Sequence, residues 1–168
     1  MAWLPALIAL TGVALGATTT LVADRLRWRR ESRERHEVSK KSSYTSYLIA
    51  LAAWRNGLRE TAYNPGLAAE DRRAHARQAL VDSQAYERRM EMLITASKDV
   101  VRESEATYKA LRNMKDPIAD GLLQDHPEYR TLVASFEARL QRLRASMRAD
   151  LNIQDPEAGI GFPGIIPE

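Results

Sequence analysis

The chain has 168 residues, a formal net charge of +3 and no cysteine. The missing cysteines exclude a disulfide framework, thiolate metal ligation and cysteine-based nucleophilic catalysis. Positive charge is concentrated in residues 24–41, where eight basic side chains face four acidic ones, so the rest of the chain is slightly acidic. We therefore expect no nucleic-acid partner, because such binding needs a net basic surface that the distal chain lacks.

Residues 1–23 are predicted to form a transmembrane helix. The run from Ala2 to Ala23 contains 22 residues without an ionisable side chain. As a helix, this run is long enough to cross the ~30 Å hydrocarbon core of a bilayer. Trp3 and Trp28 flank the run, and tryptophan favours the two membrane interfaces.

An arginine-rich border follows this run and predicts its orientation. The arginines of the border are Arg25, Arg27, Arg29, Arg30, Arg33 and Arg35. Flanks rich in Lys and Arg stay in the cytoplasm, so we expect a single-pass protein of the cell (inner) membrane with its N-terminus outside. The border would contact a lipid bilayer with anionic headgroups. Each cation near the membrane surface would contribute about 1 kcal/mol of favourable binding free energy.

The alternative is an exported helical protein, periplasmic or secreted, with a cleaved or uncleaved signal segment. Secretory signals begin with a positively charged region, whereas here the arginines follow the apolar run. That order favours the anchored protein.

Small residues form a stripe within the predicted span. Gly12, Gly16 and Thr20 lie four residues apart, which places them on one helix face. Such a face allows two helices to pack closely and predicts transmembrane packing in a homo-oligomer. The same spacing also arises in segments rich in Ala and Gly without any packing role.

Beyond the span, residues 24–42 are predicted to be a basic juxtamembrane helical stalk and residues 43–152 a cytoplasmic helical bundle. The first bundle helix covers about residues 43–62, with apolar residues at spacings of three and four. Its stripe is Tyr44, Tyr47, Leu51, Trp54 and Leu58. A turn at Asn64-Pro65-Gly66 ends it.

A second helix is predicted over residues 67–115, since no Pro or Gly interrupts it before Pro117. Its predicted apolar stripe is Ala76, Leu80, Met90, Leu93, Ile94, Val101, Tyr108, Leu111 and Met114, interrupted by Ser83, Ser97 and Ser104. The third helix covers about residues 127–152, with Pro127 in its first turn. Its seam is the most regular of the chain: Tyr129, Val133, Phe136, Leu140, Leu143 and Met147.

These elements predict an all-α protein in which an N-terminal transmembrane helix continues into a long antiparallel hairpin, or three-helix coiled-coil-like bundle. Because the second helix is much longer than the third, part of its apolar stripe is predicted to lack cover. Such a surface would receive a helical protein partner or a second copy of the chain.

Residues 153–168 form a tail rich in Pro and Gly that cannot continue the helix. The tail is nevertheless apolar, with Ile160, Phe162, Ile165 and Ile166. Two interpretations follow: the tail lies across a groove on its own bundle, or it docks on a partner as an extended peptide.

No motif for phosphate binding, hydrolysis or zinc ligation occurs, and we expect no enzymatic activity, cofactor or metal. An enzyme that uses His75 with helix carboxylates is the unlikely alternative. His75 follows Asp71 by one helical turn, and such a pair can orient a base. The helix carboxylates at the same spacing are Glu87 with Glu91 and Asp99 with Glu103.

The stretch from Gly12 through Leu58 resembles a recurrent kind of small actinobacterial single-pass membrane protein. Its Gly/Ala-rich run, the Arg-Leu-Arg-Trp-Arg-Arg border and the Tyr-Thr-Ser-Tyr-Leu entry to an amphipathic helix carry the resemblance. The resemblance implies a bacterial inner-membrane setting and a helical cytoplasmic part, and it implies no activity. The expected function is that of a non-enzymatic, membrane-anchored helical scaffold or adaptor at the cytoplasmic face.

Overall fold

The computed structural model describes the backbone of residues 4–153 and the side chains of Trp28 and residues 35–153. These residues form α-helices and no strand, which confirms the predicted all-α class. The helices are α1 (Leu4–Tyr63), α2 (Ala69–Ser83), α3 (Ala85–Leu93), α4 (Lys98–Ala119) and α5 (Pro127–Asp150). The chain divides into two compact units, residues 1–39 and residues 40–168.

Over the residues that are described in full, no helix is apolar for long enough to cross a bilayer. The predicted span, residues 1–23, lies outside the residues whose side chains are described. The same holds for its proposed packing residues Gly12, Gly16 and Thr20, for Trp3, and for all the border arginines except Arg35. The apolar residues of the tail also lie outside the described part of the chain.

In the unit of residues 40–168, the α1 segment packs against α4 and α5 and supplies much of the core. The five apolar residues of its predicted stripe are buried, as expected from their spacing. The Trp54 ring lies 5.1 Å from the Tyr108 ring of α4. The Tyr47 hydroxyl of α1 donates a hydrogen bond of 3.3 Å to the Ser104 carbonyl, which also belongs to α4. These contacts join α1 to α4 through their apolar faces.

Helix α5 confirms the predicted seam. Tyr129, Phe136, Leu143 and Met147 are buried, and the other two seam residues are half-buried. The helix begins where the sequence places it, because the His126 side chain accepts a hydrogen bond of 3.3 Å from the Glu128 N–H and Pro127 occupies the first turn.

The prediction of one unbroken helix over residues 67–115 is wrong. The structure has α2, α3 and α4 instead, with breaks at Gln84 and at residues 94–97. Gln84 adopts a left-handed conformation with φ of 52°. At the first break the Ser83 hydroxyl accepts a hydrogen bond from the Ala85 N–H, and at the second the Ser97 hydroxyl caps α4 through the Val100 N–H. Serine side chains satisfy the backbone donors that each break leaves free.

The predicted end of the second helix before Pro117 is also wrong, because α4 continues through Pro117 to Ala119. Pro117 has no N–H, so α4 lacks the one ladder hydrogen bond that this residue would otherwise donate. Ile118 is fully buried, and its burial offsets the cost of retaining this last turn.

The loop between α1 and α2 is held by a buried arginine. The Arg72 guanidinium is nearly inaccessible to solvent and donates hydrogen bonds to the carbonyls of Thr61, Asn64 and Leu67, at 3.1 to 3.4 Å. Carbonyls at a helix C-terminus lack internal partners, and a cation is favourable there. Arg72 therefore fixes the turn that the Asn64-Pro65-Gly66 sequence predicts.

Candidate functional site

The most prominent exposed surface of the bundle is an apolar stripe on α3, which we call the α3 stripe. It consists of Tyr86, Met90 and Ile94, whose exposed fractions are 53%, 45% and 84%. The three residues lie four apart, so they follow one face of the helix and its C-terminal end. Single exposed apolar residues are ordinary in proteins, whereas a contiguous row of three indicates an interaction surface.

The opposite face of α3 is tightly held by the bundle. Ala85 and Met92 are fully buried. The Arg89 guanidinium forms an ion pair with Glu105 of α4 and lies 5.6 Å from the centre of the Tyr108 ring. The α3 stripe is therefore presented by a fixed helix, and burial of the other face explains why the stripe points away from the core.

Acidic residues border the α3 stripe. Glu87 and Glu91 are exposed on α3 and directly follow Tyr86 and Met90 in the sequence. Glu91 forms an ion pair of 3.0 Å with Arg88. An apolar row beside carboxylates is complementary to an amphipathic partner helix whose apolar face is flanked by Lys or Arg.

The sequence analysis assigned Met90 and Ile94 to one continuous apolar stripe, part of which was predicted to lack cover, and both residues are exposed. The break at Gln84 changes the direction and the rotational phase of the helix, so apolar residues before and after it no longer share a face. Met92, which the predicted stripe omitted, is buried in their place. Tyr86 was also missed, although Tyr86, Met90 and Ile94 have the i, i+4, i+8 spacing that could have found them.

Two predicted membrane-interface residues fall within the described side chains. Trp28 has an exposed fraction of 64%, and Arg35 is also exposed. An interfacial position would suit the exposed, amphipathic indole ring. The remaining interface residues stay predictions.

The four carboxylates singled out by their one-turn spacing do not share a site with His75. His75 Nδ1 lies 2.8 Å from the backbone carbonyl of Asp71, not from its carboxylate. His75 lines a cavity of about 300 Å³ between α1 and α2 with Glu60 and Asp82. None of Glu87, Glu91, Asp99 and Glu103 lines that cavity. Asp99 and Glu103 instead form ion pairs with Arg102, at 2.8 and 3.2 Å.

The described residues contain no group of three or more metal-ligating side chains close enough to hold an ion. A scan against protein-family models found no match, and comparisons with curated proteins and with solved structures found none either. The surfaces of the chain itself are therefore the basis for a functional proposal.

Proposed function

We propose that this protein is a single-pass, membrane-anchored helical adaptor that recruits a partner helix to the cytoplasmic face of the membrane. The α3 stripe carries the proposal. Tyr86, Met90 and Ile94 expose an apolar row on a helix whose other face is fixed to the bundle. A row that does not contribute to the core has a cost in solubility, and interaction with a partner accounts for it.

The chemistry of the partner follows from the border of the stripe. Glu87 and Glu91 are exposed on α3 next to Tyr86 and Met90, so the partner is an amphipathic helix with basic residues flanking its apolar face. A second α3 would set carboxylates against carboxylates, which disfavours self-association through this surface. Self-association is assigned instead to the span, through Gly12, Gly16 and Thr20.

Membrane anchoring is supported by the beginning of the chain. The uncharged run from Ala2 to Ala23 leads into the arginine border, within which Trp28 is exposed. A long apolar run followed by arginines and a tryptophan is the order expected for a membrane span whose C-terminal side is cytoplasmic.

Membrane anchoring is tested by fractionation of cells that express the full chain. The chain is expected to stay in the membrane pellet after alkaline extraction, and Leu10→Arg is expected to release it, because an arginine in mid-span costs about 3 kcal/mol. Val38→Arg is the matched control, since Val38 is exposed outside the run. Release of the unsubstituted chain would contradict anchoring. A fluorescent reporter that matures only in the cytoplasm, fused after Glu168, would stay dark if the exported alternative were correct.

Partner binding is tested by a photo-crosslinking amino acid at Met90 in membranes of the native host. The expected result is one discrete crosslinked protein, whose contact segment is an amphipathic basic helix by mass spectrometry. Ile49 is the control position, because it is even more exposed than Met90 but lies on α1, outside the stripe. Glu87→Lys should weaken the crosslink by charge repulsion. Equal crosslinking from both positions, or a partner segment without basic residues, would contradict the proposal.

A further inference from the structure

A second apolar surface of the bundle lies between the beginning of its first helix segment and the end of α5. This groove, which we call the α1/α5 groove, encloses about 540 Å³. Its apolar floor includes Leu48, Met147, Leu151 and Ile153. Met147 belongs to the core seam, so the groove opens directly onto the core of the bundle.

The chain turns back into the groove where α5 ends. Asn152 adopts a left-handed conformation with φ of 53°. The Ile153 N–H donates to the Arg148 carbonyl at 2.9 Å and the Asn152 N–H donates to the Ala149 carbonyl at 3.1 Å. This pair of hydrogen bonds is a Schellman motif, which reverses the chain at a helix C-terminus. As a result, Ile153 lines the groove, and the tail begins at its edge.

The charges of the groove and of the tail are complementary. The groove is lined by the cationic residues Lys41, Arg144 and Arg148 and by no acidic residue. The 15 residues that follow Ile153 contain Asp155, Glu157 and Glu168 and no Lys or Arg. They also contain the apolar residues Ile160, Phe162, Ile165 and Ile166.

We propose that the α1/α5 groove is the binding site for the chain's own C-terminal tail, residues 154–168, bound in cis. Three features select this occupant: the tail starts at the groove, its apolar residues match the floor, and its carboxylates match the rim. An extended chain spans about 3.3 Å for each residue, so Phe162 is easily within reach of the groove. The proposal is independent of the membrane anchor and of the α3 stripe.

The chain contains no native cysteine, so a disulfide can form only between cysteines that are introduced in pairs. The test compares how fast two such pairs form this disulfide crosslink. Two double variants of the full chain are compared: Ala145→Cys with Phe162→Cys, and Ala149→Cys with Phe162→Cys. Ala145 lines the groove. Ala149 is exposed outside the lining, although it lies nearer to the tail in sequence. Circular dichroism verifies that each variant is folded, which both exposed positions should permit.

A free tail would favour the Ala149→Cys variant, because a shorter loop closes more readily. A docked tail is expected to crosslink the Ala145→Cys variant faster by about tenfold, the ratio that corresponds to a preference of roughly 1.4 kcal/mol. Arg144→Glu should reduce this ratio, since it reverses one cation of the rim. Equal rates, or faster reaction of the Ala149→Cys variant, would overturn the proposal. A crosslink that joins two chains in a mixture of differently tagged copies would also overturn it, because the tail would then bind in trans.

Discussion

Helices α5 and α3 both carry apolar residues at helical spacing, but the bundle treats them in opposite ways. In α5 the row from Tyr129 to Met147 faces the core. In α3 the row Tyr86, Met90 and Ile94 faces outward, and the residues between, such as Met92, are buried instead. The difference lies in what surrounds each helix: α5 packs along α1 and α4, whereas α3 is a short segment that contacts α4 through one face.

The comparison separates two properties that an apolar pattern combines. Helical spacing establishes that a face is apolar, because residues three and four apart align. Whether that face is covered depends on how many neighbours the helix has and on the direction it takes after a break. The α3 stripe is therefore informative about function, while the α5 seam is informative about stability.

The largest expected effect separates the two rows by stability. Phe136→Ala in α5 should lower the free energy of unfolding by about 3 to 5 kcal/mol, because it removes a buried ring and leaves a cavity. Met90→Ser in α3 should change it far less, by about 0.5 kcal/mol, because the Met90 side chain is exposed on the surface and its removal leaves no cavity in the core. Urea unfolding of the full chain, followed by tryptophan fluorescence, measures both. A destabilisation by Met90→Ser comparable to that of Phe136→Ala would show that α3 packs like α5.

A second difference between the helices is the way their ends are fixed. Asp150 at the end of α5 accepts hydrogen bonds from the Tyr44 hydroxyl and from the Ser97 N–H at 3.4 Å. It also forms an ion pair of 2.7 Å with Lys40. Asp150 thereby joins the start of the bundle segment of α1 and the N-terminus of α4 to α5. Asp150→Asn should lower the free energy of unfolding by about 2 kcal/mol, which is the usual contribution of hydrogen bonds to a charged group.

This cluster also predicts how stability depends on pH. Burial by itself would raise the pKa of Asp150, but the hydrogen bonds from Lys40, Tyr44 and the Ser97 N–H outweigh it, so the pKa is lowered from its ordinary 3.8. The stabilisation is therefore present above pH 3.8 and is lost as the pH falls through the lowered value. The difference in unfolding free energy between wild type and Asp150→Asn should shrink below about pH 4. A constant difference down to pH 2 would exclude the ionised carboxylate as its source.

The smallest expected effect concerns how closely α2 approaches α1. A Cβ added at Gly57 would lie 2.6 Å from the Ala79 Cβ. Gly57→Ala should therefore destabilise the bundle by about 1 kcal/mol net, since overpacking outweighs the gain in helix propensity. Gly66→Ala is the control, because its nearest neighbour would be Asn64 Oδ1 at 3.6 Å. A stabilised Gly57→Ala variant would mean that α2 moves away readily.

Some elements of the bundle could be predicted from the sequence, whereas the breaks between α2, α3 and α4 could not. The stripe of α1 and the seam of α5 could be predicted, because their spacing is regular and their boundaries carry Pro or a capping residue. The breaks at Gln84 and at residues 94–97 could not be predicted from Pro or Gly, since neither residue occurs there. Ser97, followed by Asp99 in the first turn of α4, was an available N-cap signal. Gln84 carries no comparable signal, because a left-handed conformation is usual for Gly or Asn and not for Gln.

The sequence by itself determined the helical class, the apolar faces of α1 and α5, and the turn before α2, because local spacing and Pro, Gly and capping residues act within a few positions of the chain. Tertiary structure alone decided which apolar rows are covered, where Asp150 finds its partners, and that Gly57 is a contact point. These outcomes depend on residues far apart in sequence. Their energies arise only when distant helices meet, and no local pattern encodes that meeting.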